Sequence, residues 1–575
     1  MLLLKRIFLL ILVQQITMMY CDVKAQTKGK EIAYLHTDRT AYVTGESVCY
    51  KLYILDEATK KRSEMSKVGY IVLRPVNSDP SLKIRVQIDA GMGNGSFVLP
   101  DTLMSGAYEI VAFTSAMKNV GEEHFFHKQV TIANRFDNAL DFKMVESVPK
   151  DSDLYQQPNL DFKIKTDKAV YGVREKVVVN LGTFNSKANV SVSVFEEPKI
   201  PSTDKSIVEA LKNGVDAQNI QRKSIYHSPE TKGKILRAYV IDAKTQKTIK
   251  DAIVLLSCMD TIPNLQYAIT NSDGLFQMLL SDYYNGKELF LTIRDAPGDQ
   301  NWQIRLEDEF AQSEKWHPKL ISNNGNYKEF IVKSQNIVYI NKSYQLNKSA
   351  NDKSITDNTS ICPQFYHCKA ATILPSDFVP LNDFPEIAVE ILPQVRILKE
   401  KGKYEVQLFN PLMKRFSAIP PAVFLDGVYV DDIDKIIGLG SDQIKKIDII
   451  DNERAFGDLV FSGAISIISK SNEMASTKPA SCSLRLKNDS INIGSGLVTI
   501  DPEYIQNKNV PVFKQLLYWN ANLELNATDE THFEFYTSDN AANFTIRVEG
   551  ISETGAAISA SSNFQVNNSI NVIGK

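Results

Sequence analysis

The sequence predicts a mainly β fold: tandem small β-sandwiches with one small α+β module among them. Three observations predict it. Apolar and polar residues alternate with period two in run after run, which puts one face of each strand in a core and the other in water. Short clusters of glycine and polar residues separate the runs, as turns do. One stretch, Pro421 to Lys470, reads instead as hairpin, helix, strand, loop, strand. A chain of 575 residues exceeds a single core, and at about one domain per 100–200 residues it holds about three to five.

Composition is that of an ordinary globular protein, 43% hydrophobic and 23% charged. With a net charge of −3 and no basic tract, nothing points to nucleic acid. The N-terminus has the layout of a secretory signal: Lys5 and Arg6, then the apolar run Ile7 to Val13, then Val23-Lys24-Ala25 with cleavage before Gln26. An uncleaved anchor is the alternative, although the run is short for a bilayer. Lipidation at Cys21 is another, although Thr17-Met18-Met19-Tyr20 is a poor lipobox. Cys49, Cys258, Cys362, Cys368 and Cys482 then remain, an odd and widely spaced set rather than a disulfide framework. Cys362 and Cys368 either pair locally in an oxidising compartment or stay thiols. With His367 between them they match no strong zinc pattern.

Along the chain, strands are expected at Val48 to Ile54, Leu82 to Ile88, Val177 to Leu181 and Val190 to Val194. Gly91-Met92-Gly93-Asn94-Gly95 reads as a hairpin tip; no Lys-Ser/Thr or helix follows to make it a phosphate loop. A repeat is present. Thr37-Asp38-Arg39-Thr40-Ala41-Tyr42-Val43-Thr44-Gly45-Glu46-Ser47-Val48 aligns with Thr166-Asp167-Lys168-Ala169-Val170-Tyr171-Gly172-Val173-Arg174-Glu175-Lys176-Val177. The shared frame is T-D-[RK]-x-x-Y-x-x-x-E-x-V. Its Asp can bond backbone amides in a turn, and its Tyr can bury a ring while tying its hydroxyl to the backbone. The frame resembles the opening of the early macroglobulin domains of the alpha-2-macroglobulin family, although neither copy has the family's proline. The resemblance implies immunoglobulin-like or macroglobulin-like sandwiches over 26–140 and, shorter, 150–225, the second with a helix at Ser206 to Asn213.

Strands at Lys234 to Asp242, Ala252 to Leu256 and Leu289 to Ile293, with a turn at Asp273-Gly274 leading into Leu275-Phe276, follow over 229–300. This unit resembles the carboxypeptidase regulatory-like domain, a name that implies no peptidase activity. Residues 301–384 read as an irregular connector broken by one strand, Glu329-Phe330-Ile331-Val332. A short helix at Phe384 to Leu392 and a strand pair over Val395 to Phe409 lead into the hairpin around Asp426-Gly427. A helix over Ile433 to Leu439 and strands at Ile444 to Ile450 and Gly463 to Ser469 complete this module, 385–472. Its D-G-V hairpin and its two closing strands resemble the plug domain of TonB-dependent outer-membrane receptors. The tail, 473–575, resembles a later macroglobulin domain in Tyr518-Trp519-Asn520, Phe533 to Asn540 and Val548-Glu549-Gly550-Ile551, with a final strand pair over Gly555 to Val566.

No G-C-G-E-Q thioester motif, G-x-S-x-G elbow or H-E-x-x-H motif occurs. His124 and His127, three apart in an extended run, face opposite ways and read as strand histidines. Asp431, Asp432 and Asp434 lack the D-x-D-x-D-G calcium frame and read as a turn and helix start. Asp426 and Gly427 read as turn determinants. No catalytic, cofactor-binding or metal residue is nominated, and no cofactor is expected. A receptor barrel needs about 22 strands of about ten residues, more than the stretch after Lys470 supplies, so no self-contained transmembrane barrel is expected. The expectation is an exported, non-enzymatic protein of the Bacteroidota type, in the periplasm or at the outer membrane. Its partner would be an envelope protein or a peptide. The alternative is a macroglobulin-like protein that binds proteases or peptides without covalent chemistry; a receptor component that borrows a barrel is a third class.

Overall fold

A computed structural model describes residues 30–568, apart from 138–142, 146–161, 198–203, 213–226, 295–300, 311–317, 319, 323–325, 345–363, 367–369, 401, 477–481, 493 and 495. The signal sequence, Cys362 and Cys368 lie outside the described residues. The fold is mainly β. Contacts divide the chain into two units: one of residues 1–231, 310–355 and 492–575, the other of 232–309 and 356–491.

The first unit opens with a sandwich of eight strands: β1 (Glu31–Thr37), β2 (Ala41–Val43), β3 (Ser47–Asp56), β4 (Val68–Pro75), β5 (Leu82–Gln87), β6 (Met92–Val98), β7 (Gly106–Thr114) and β8 (Phe126–Ala133). Its sheets run β1-β3-β6 and β2-β8-β7-β4-β5. The inward residues of both, among them Leu35, Leu52, Ile71, Val86, Ile110 and Ile132, close one core. Of the glycine cluster expected at a hairpin tip, Gly91 does sit in a tight turn, with φ of +74° between Asp89 and Met92, which exchange backbone hydrogen bonds; Gly93 and Gly95 lie inside β6. A Cβ on Gly93 would sit 2.6 Å from the Gln87 carbonyl oxygen, and one on Gly494 would sit 2.2 Å from the Gly95 Cα. Gly93 and Gly95 stand here because another backbone passes close by, a strand role beside the turn role of Gly91.

The chain continues through β9 (Lys143–Val145), β10 (Ile164–Thr166), β11 (Val170–Gly172), β12 (Lys176–Leu181), β13 (Ala188–Glu196) and helix α1 (Ile207–Lys212). It then leaves for the second unit through β14 (Lys234–Asp242), β15 (Ile253–Cys258), β16 (Gln266–Ile269), β17 (Leu275–Leu280), β18 (Glu288–Ile293) and β19 (Trp302–Leu306). It returns to the first unit with β20 (Leu320–Ser322), which pairs with β9, and helix α2 (Asn326–Ser343). The strand expected at Glu329–Val332 is the second turn of α2. Ile331, Ser334, Val338 and Asn341 are buried on one side of it at helical spacing, so Ile331 belongs to a 3.6-residue pattern, while Val332 is exposed.

The α+β module of the second unit comprises β21 (Ala371–Ile373), α3 (Phe384–Ile391), β22 (Val395–Glu400), β23 (Lys403–Asn410), β24 (Arg415–Phe416), β25 (Ala422–Leu425), β26 (Val428–Tyr429), α4 (Asp434–Ile437), β27 (Ile444–Ile450), β28 (Arg454–Phe456), β29 (Leu459–Phe461), β30 (Ala464–Ser469) and α5 (Glu473–Ser476). Next, β31 (Ser483–Lys487) pairs with β18. The sandwich expected over 229–300 therefore runs to β19 and takes a strand from beyond the α+β module. Its sheets are β17-β14-β19 and β16-β15-β18-β31.

The chain closes in the first unit with β32 (Leu497–Thr499), α6 (Pro502–Gln506), β33 (Leu516–Leu525), β34 (Thr531–Tyr536), β35 (Asn543–Ser552) and β36 (Ala557–Asn567). The two sandwiches expected at 150–225 and 473–575 are one. β12 pairs with β34, and β13 lies between β33 and β35, in sheets β10-β12-β34 and β11-β36-β35-β13-β33-β32. Val177, Val179, Val190, Val192 and Val194 from the early half share a core with Leu517, Phe533, Phe535, Phe544, Ile546 and Val548 from the late half. The first half is short because it is half a sandwich. The final strand pair expected over Gly555–Val566 is the single strand β36.

Candidate functional site

The repeated frame builds the same corner twice. In the first copy Asp38 Oδ1 accepts the Cys49 N–H at 2.7 Å and the Tyr42 hydroxyl at 3.1 Å. Glu46 Oε2 accepts the Val43 N–H at 2.7 Å, and the Thr37 hydroxyl donates to the Arg39 carbonyl at 2.7 Å. In the second copy Asp167 Oδ1 accepts the Val178 N–H at 2.9 Å and the Tyr171 hydroxyl at 2.7 Å. Glu175 Oε2 accepts the Gly172 N–H at 2.6 Å, and Thr166 donates to the Lys168 carbonyl at 2.7 Å. Each shared polar residue thus satisfies a backbone group that the turn would orphan. The copies differ in cover. Asp38 is fully buried, and Arg39 reaches Gln515 of the second sandwich at 3.2 Å; Asp167 and Lys168 are exposed.

A buried polar cluster that the sequence did not flag lies where the two sandwiches of the first unit meet. Ser191 and Ser193 alternate with the core valines of β13 and read as its wet face, yet both are fully buried. The Ser191 hydroxyl lies 2.7 Å from His36 Nδ1 and 3.0 Å from the Tyr53 hydroxyl, both of the first sandwich. Asp204, just before α1, bridges Lys128 of β8 at 2.6 Å and Arg547 of β35 at 2.6 Å. Two residues along β35, and so on the same face, Glu549 accepts the Ile207 N–H at 3.0 Å and the Ser559 hydroxyl at 3.0 Å.

Burial and charge oppose each other in this cluster. Burial drives the Asp204 carboxyl up, but Lys128 and Arg547 outweigh it and hold the group down to about 2. Burial pushes Glu549 up to about 7 against the pull of the Ile207 N–H and Arg547. Burial, with Lys128 and Arg547 nearby, keeps His36 well below the usual imidazole value and therefore neutral. The Ser191–His36 contact has the form of a nucleophile and base, but both side chains are closed off from solvent.

In the second unit the α+β sheet has the order β21-β27-β30-β25-β26. Phe384, Ile387 and Ala388 of α3 cover one face, against Val423, Ile447 and Ile467. Leu255, Leu265 and Phe365 cover the other, against Phe424, Ile450 and Ala464. The β26 edge is shut. The Tyr429 N–H donates to the Ser257 hydroxyl at 3.1 Å, and Asp260 N–H donates to the Asp426 carbonyl at 3.0 Å. The β21 edge pairs with β27 on one side and with no described strand on the other. The exposed Leu374, Phe378 and Val379 follow β21 in the chain, the last 73% accessible, while Val389 on α3 is 80% accessible.

Asp426 and Gly427 form the β25–β26 turn with φ of +50° and +82°. Asp426 does more than turn the chain: its buried carboxylate accepts the Ser469 N–H at 2.7 Å and the Met474 N–H at 3.2 Å, tying the hairpin to the end of β30 and to α5. Asp431, Asp432 and Asp434 are exposed, and Asp432 accepts the Asp434 N–H at 3.1 Å where α4 begins. His124 closes a short 3-10 turn. His127, in β8, lies 3.1 Å from Glu109. No helix among the described residues is long and apolar enough to cross a membrane.

No family model matches the sequence, and no curated protein matches it. Solved structures match at low scores. The alpha-2-macroglobulin of Escherichia coli activated by porcine elastase is 9% identical over 94% of this chain, with a TM-score of 0.24, and 44% of that protein is covered. The Salmonella alpha-2-macroglobulin reacted with methylamine is 8% identical over 94% of this chain and 40% of its own, with a TM-score of 0.24. The Yersinia pseudotuberculosis adhesin InvE is 11% identical over 49% of this chain and 62% of its own, with a TM-score of 0.14. The chain spans less than half the length of those macroglobulins, and scores of this size identify no family.

Proposed function

We propose that this is an exported, non-enzymatic envelope protein that acts by docking a partner, with the α+β module as a plug-like platform. The observation that carries the reading is the contrast between the two edges of the α+β sheet. One edge is closed by the neighbouring sandwich. The other, β21, pairs on one side alone among the described residues and is followed in the chain by exposed Leu374, Phe378 and Val379. An unpaired edge offers backbone donors and acceptors to an extended segment, and apolar side chains beside it supply pockets for alternate residues of that segment. The partner is therefore an envelope protein or peptide that contributes one extended, partly apolar strand. The non-enzymatic reading rests on the Ser191–His36 pair being sealed and on the absence of a catalytic motif in the sequence.

The test is crosslinking with affinity capture from the native envelope, using the wild-type chain and a Phe378→Asp/Val379→Asp variant of equal melting temperature. A partner captured by the wild type and lost with the variant is expected. Equal capture by both, or none by the wild type, would overturn the reading.

A further inference from the structure

We infer that the junction of the two sandwiches in the first unit is a receptor groove for an acidic, amphipathic linear segment, filled in this chain by its own residues 204–211. The inference stands apart from the β21 edge, and neither depends on the other.

The groove is composite. Its cationic end is Lys128 from the first sandwich and Arg547 from the second, both directed at one carboxylate, Asp204, that belongs to neither sheet. Its apolar floor is Tyr34, Tyr53 and Leu55 from the first sandwich with Ile551 from the second. Ile207 is fully buried on that floor, with Val208 and Leu211 packed beside it. Glu549 takes the Ile207 N–H, and the Tyr34 hydroxyl donates to the Lys205 carbonyl at 3.3 Å.

The occupant is built like a ligand. Among the described residues Asp204 to Lys212 pairs with no strand of either sandwich; side chains of the groove hold it. It also caps its own helix. The Ser206 hydroxyl accepts the Glu209 N–H at 3.2 Å, and Glu209 Oε2 accepts the Ser206 N–H at 2.8 Å, a capping box that preforms α1. A preformed helix loses less freedom on docking, and Ile207 and Leu211, four apart on α1, present one apolar face after the acid that precedes the helix, the layout of a helix-in-groove ligand. Each sandwich has a core of its own, so the segment can leave without dismantling either. A partner presenting the same layout, an acid and then Ile and Leu four apart on a helix, has the chemistry to take its place.

The experiment uses the full chain and a labelled synthetic peptide of residues 202–213. In an Asp204→Ala/Ile207→Asp variant the cis segment no longer fits, and the peptide is expected to bind in trans. The same peptide carrying Asp204→Ala is expected to bind at least about tenfold more weakly, since it loses both charge-assisted contacts. A folded variant that ignores the peptide would overturn the inference. Amide hydrogen exchange on the wild-type chain decides the matter if the variant does not fold. Exchange over Ile207–Lys212 at least about a hundredfold faster than in β13 is expected for a segment that leaves on its own. Equal rates in the two would show that it leaves with global unfolding alone, and would overturn the inference.

Discussion

A single residue type in a single frame has two energetic meanings here. Asp38 and Asp167 accept the same two kinds of hydrogen bond, but one is sealed and the other is wet. Asp38→Ala strands the buried Cys49 N–H and takes one carboxylate from Arg39, which keeps Glu46 at 3.3 Å, so a cost of about 2–3 kcal/mol is expected in urea unfolding. Asp167→Ala lets water take over and should cost about 1 kcal/mol. The frame also explains a departure between its copies. Gly45 and Arg174 both sit in the left-handed region, at φ of +88° and +55°. Arginine tolerates it because its guanidinium holds both Asp539 oxygens at 2.6 Å and the Val510 carbonyl at 2.7 Å. Glu549 gives the pH prediction at this scale. Its carboxyl titrates at 4.5 when unfolded and at about 7 when folded. Between those values the folded chain binds more protons, so this contribution to stability falls as pH rises through the window. Glu549→Gln is expected to melt like the wild type near pH 4.5 and to be more stable by about 2–3 kcal/mol near pH 8. His36 acts in the opposite sense, gaining stability as pH rises towards 6.5; the variant keeps it, so the difference between the two proteins isolates Glu549.

At the scale of elements, the hairpin at Asp426-Gly427 was legible because two adjacent positive φ values need that dipeptide locally. Its second role was not. A Cβ on Gly427 would sit 2.5 Å from the Asp260 carbonyl oxygen, a contact made by a residue far away in sequence. Gly427→Ala combines that clash with left-handed strain and should destabilise the second unit by about 2–4 kcal/mol, read as a lower melting transition and faster exchange over 422–430. Helix α2 was missed although its period was present. The Asn, Lys and Ser around it masked the spacing of Ile331, Ser334, Val338 and Asn341, and two of those four inward positions are polar. Ser334 faces inward because Gln515 donates to its hydroxyl at 2.9 Å.

At the scale of the whole molecule, one sandwich is interrupted by a second, and the second is interrupted by the α+β module. A fragment of residues 26–225 lacks β33 to β36 and leaves Val177, Val179, Val190, Val192 and Val194 without the other half of their core. Its first sandwich is expected to fold and its second to stay open and aggregate, while co-expression with 492–575 should recover a soluble complex. A well-folded fragment with protected β12 and β13 amides in hydrogen exchange would refute the shared sandwich. The sequence by itself determined what is local. Period-two runs mark most of the strands, and twelve-residue frames fix the two corners. The Asp-Gly pair fixes a turn. Tertiary structure decided which strands share a sheet across the insertions, and which polar faces are buried. Ser191, Lys128 and Glu549 carry the same alternation as solvated residues, and it is the arrival of a second sandwich, joined through contacts remote along the chain, that removes their water.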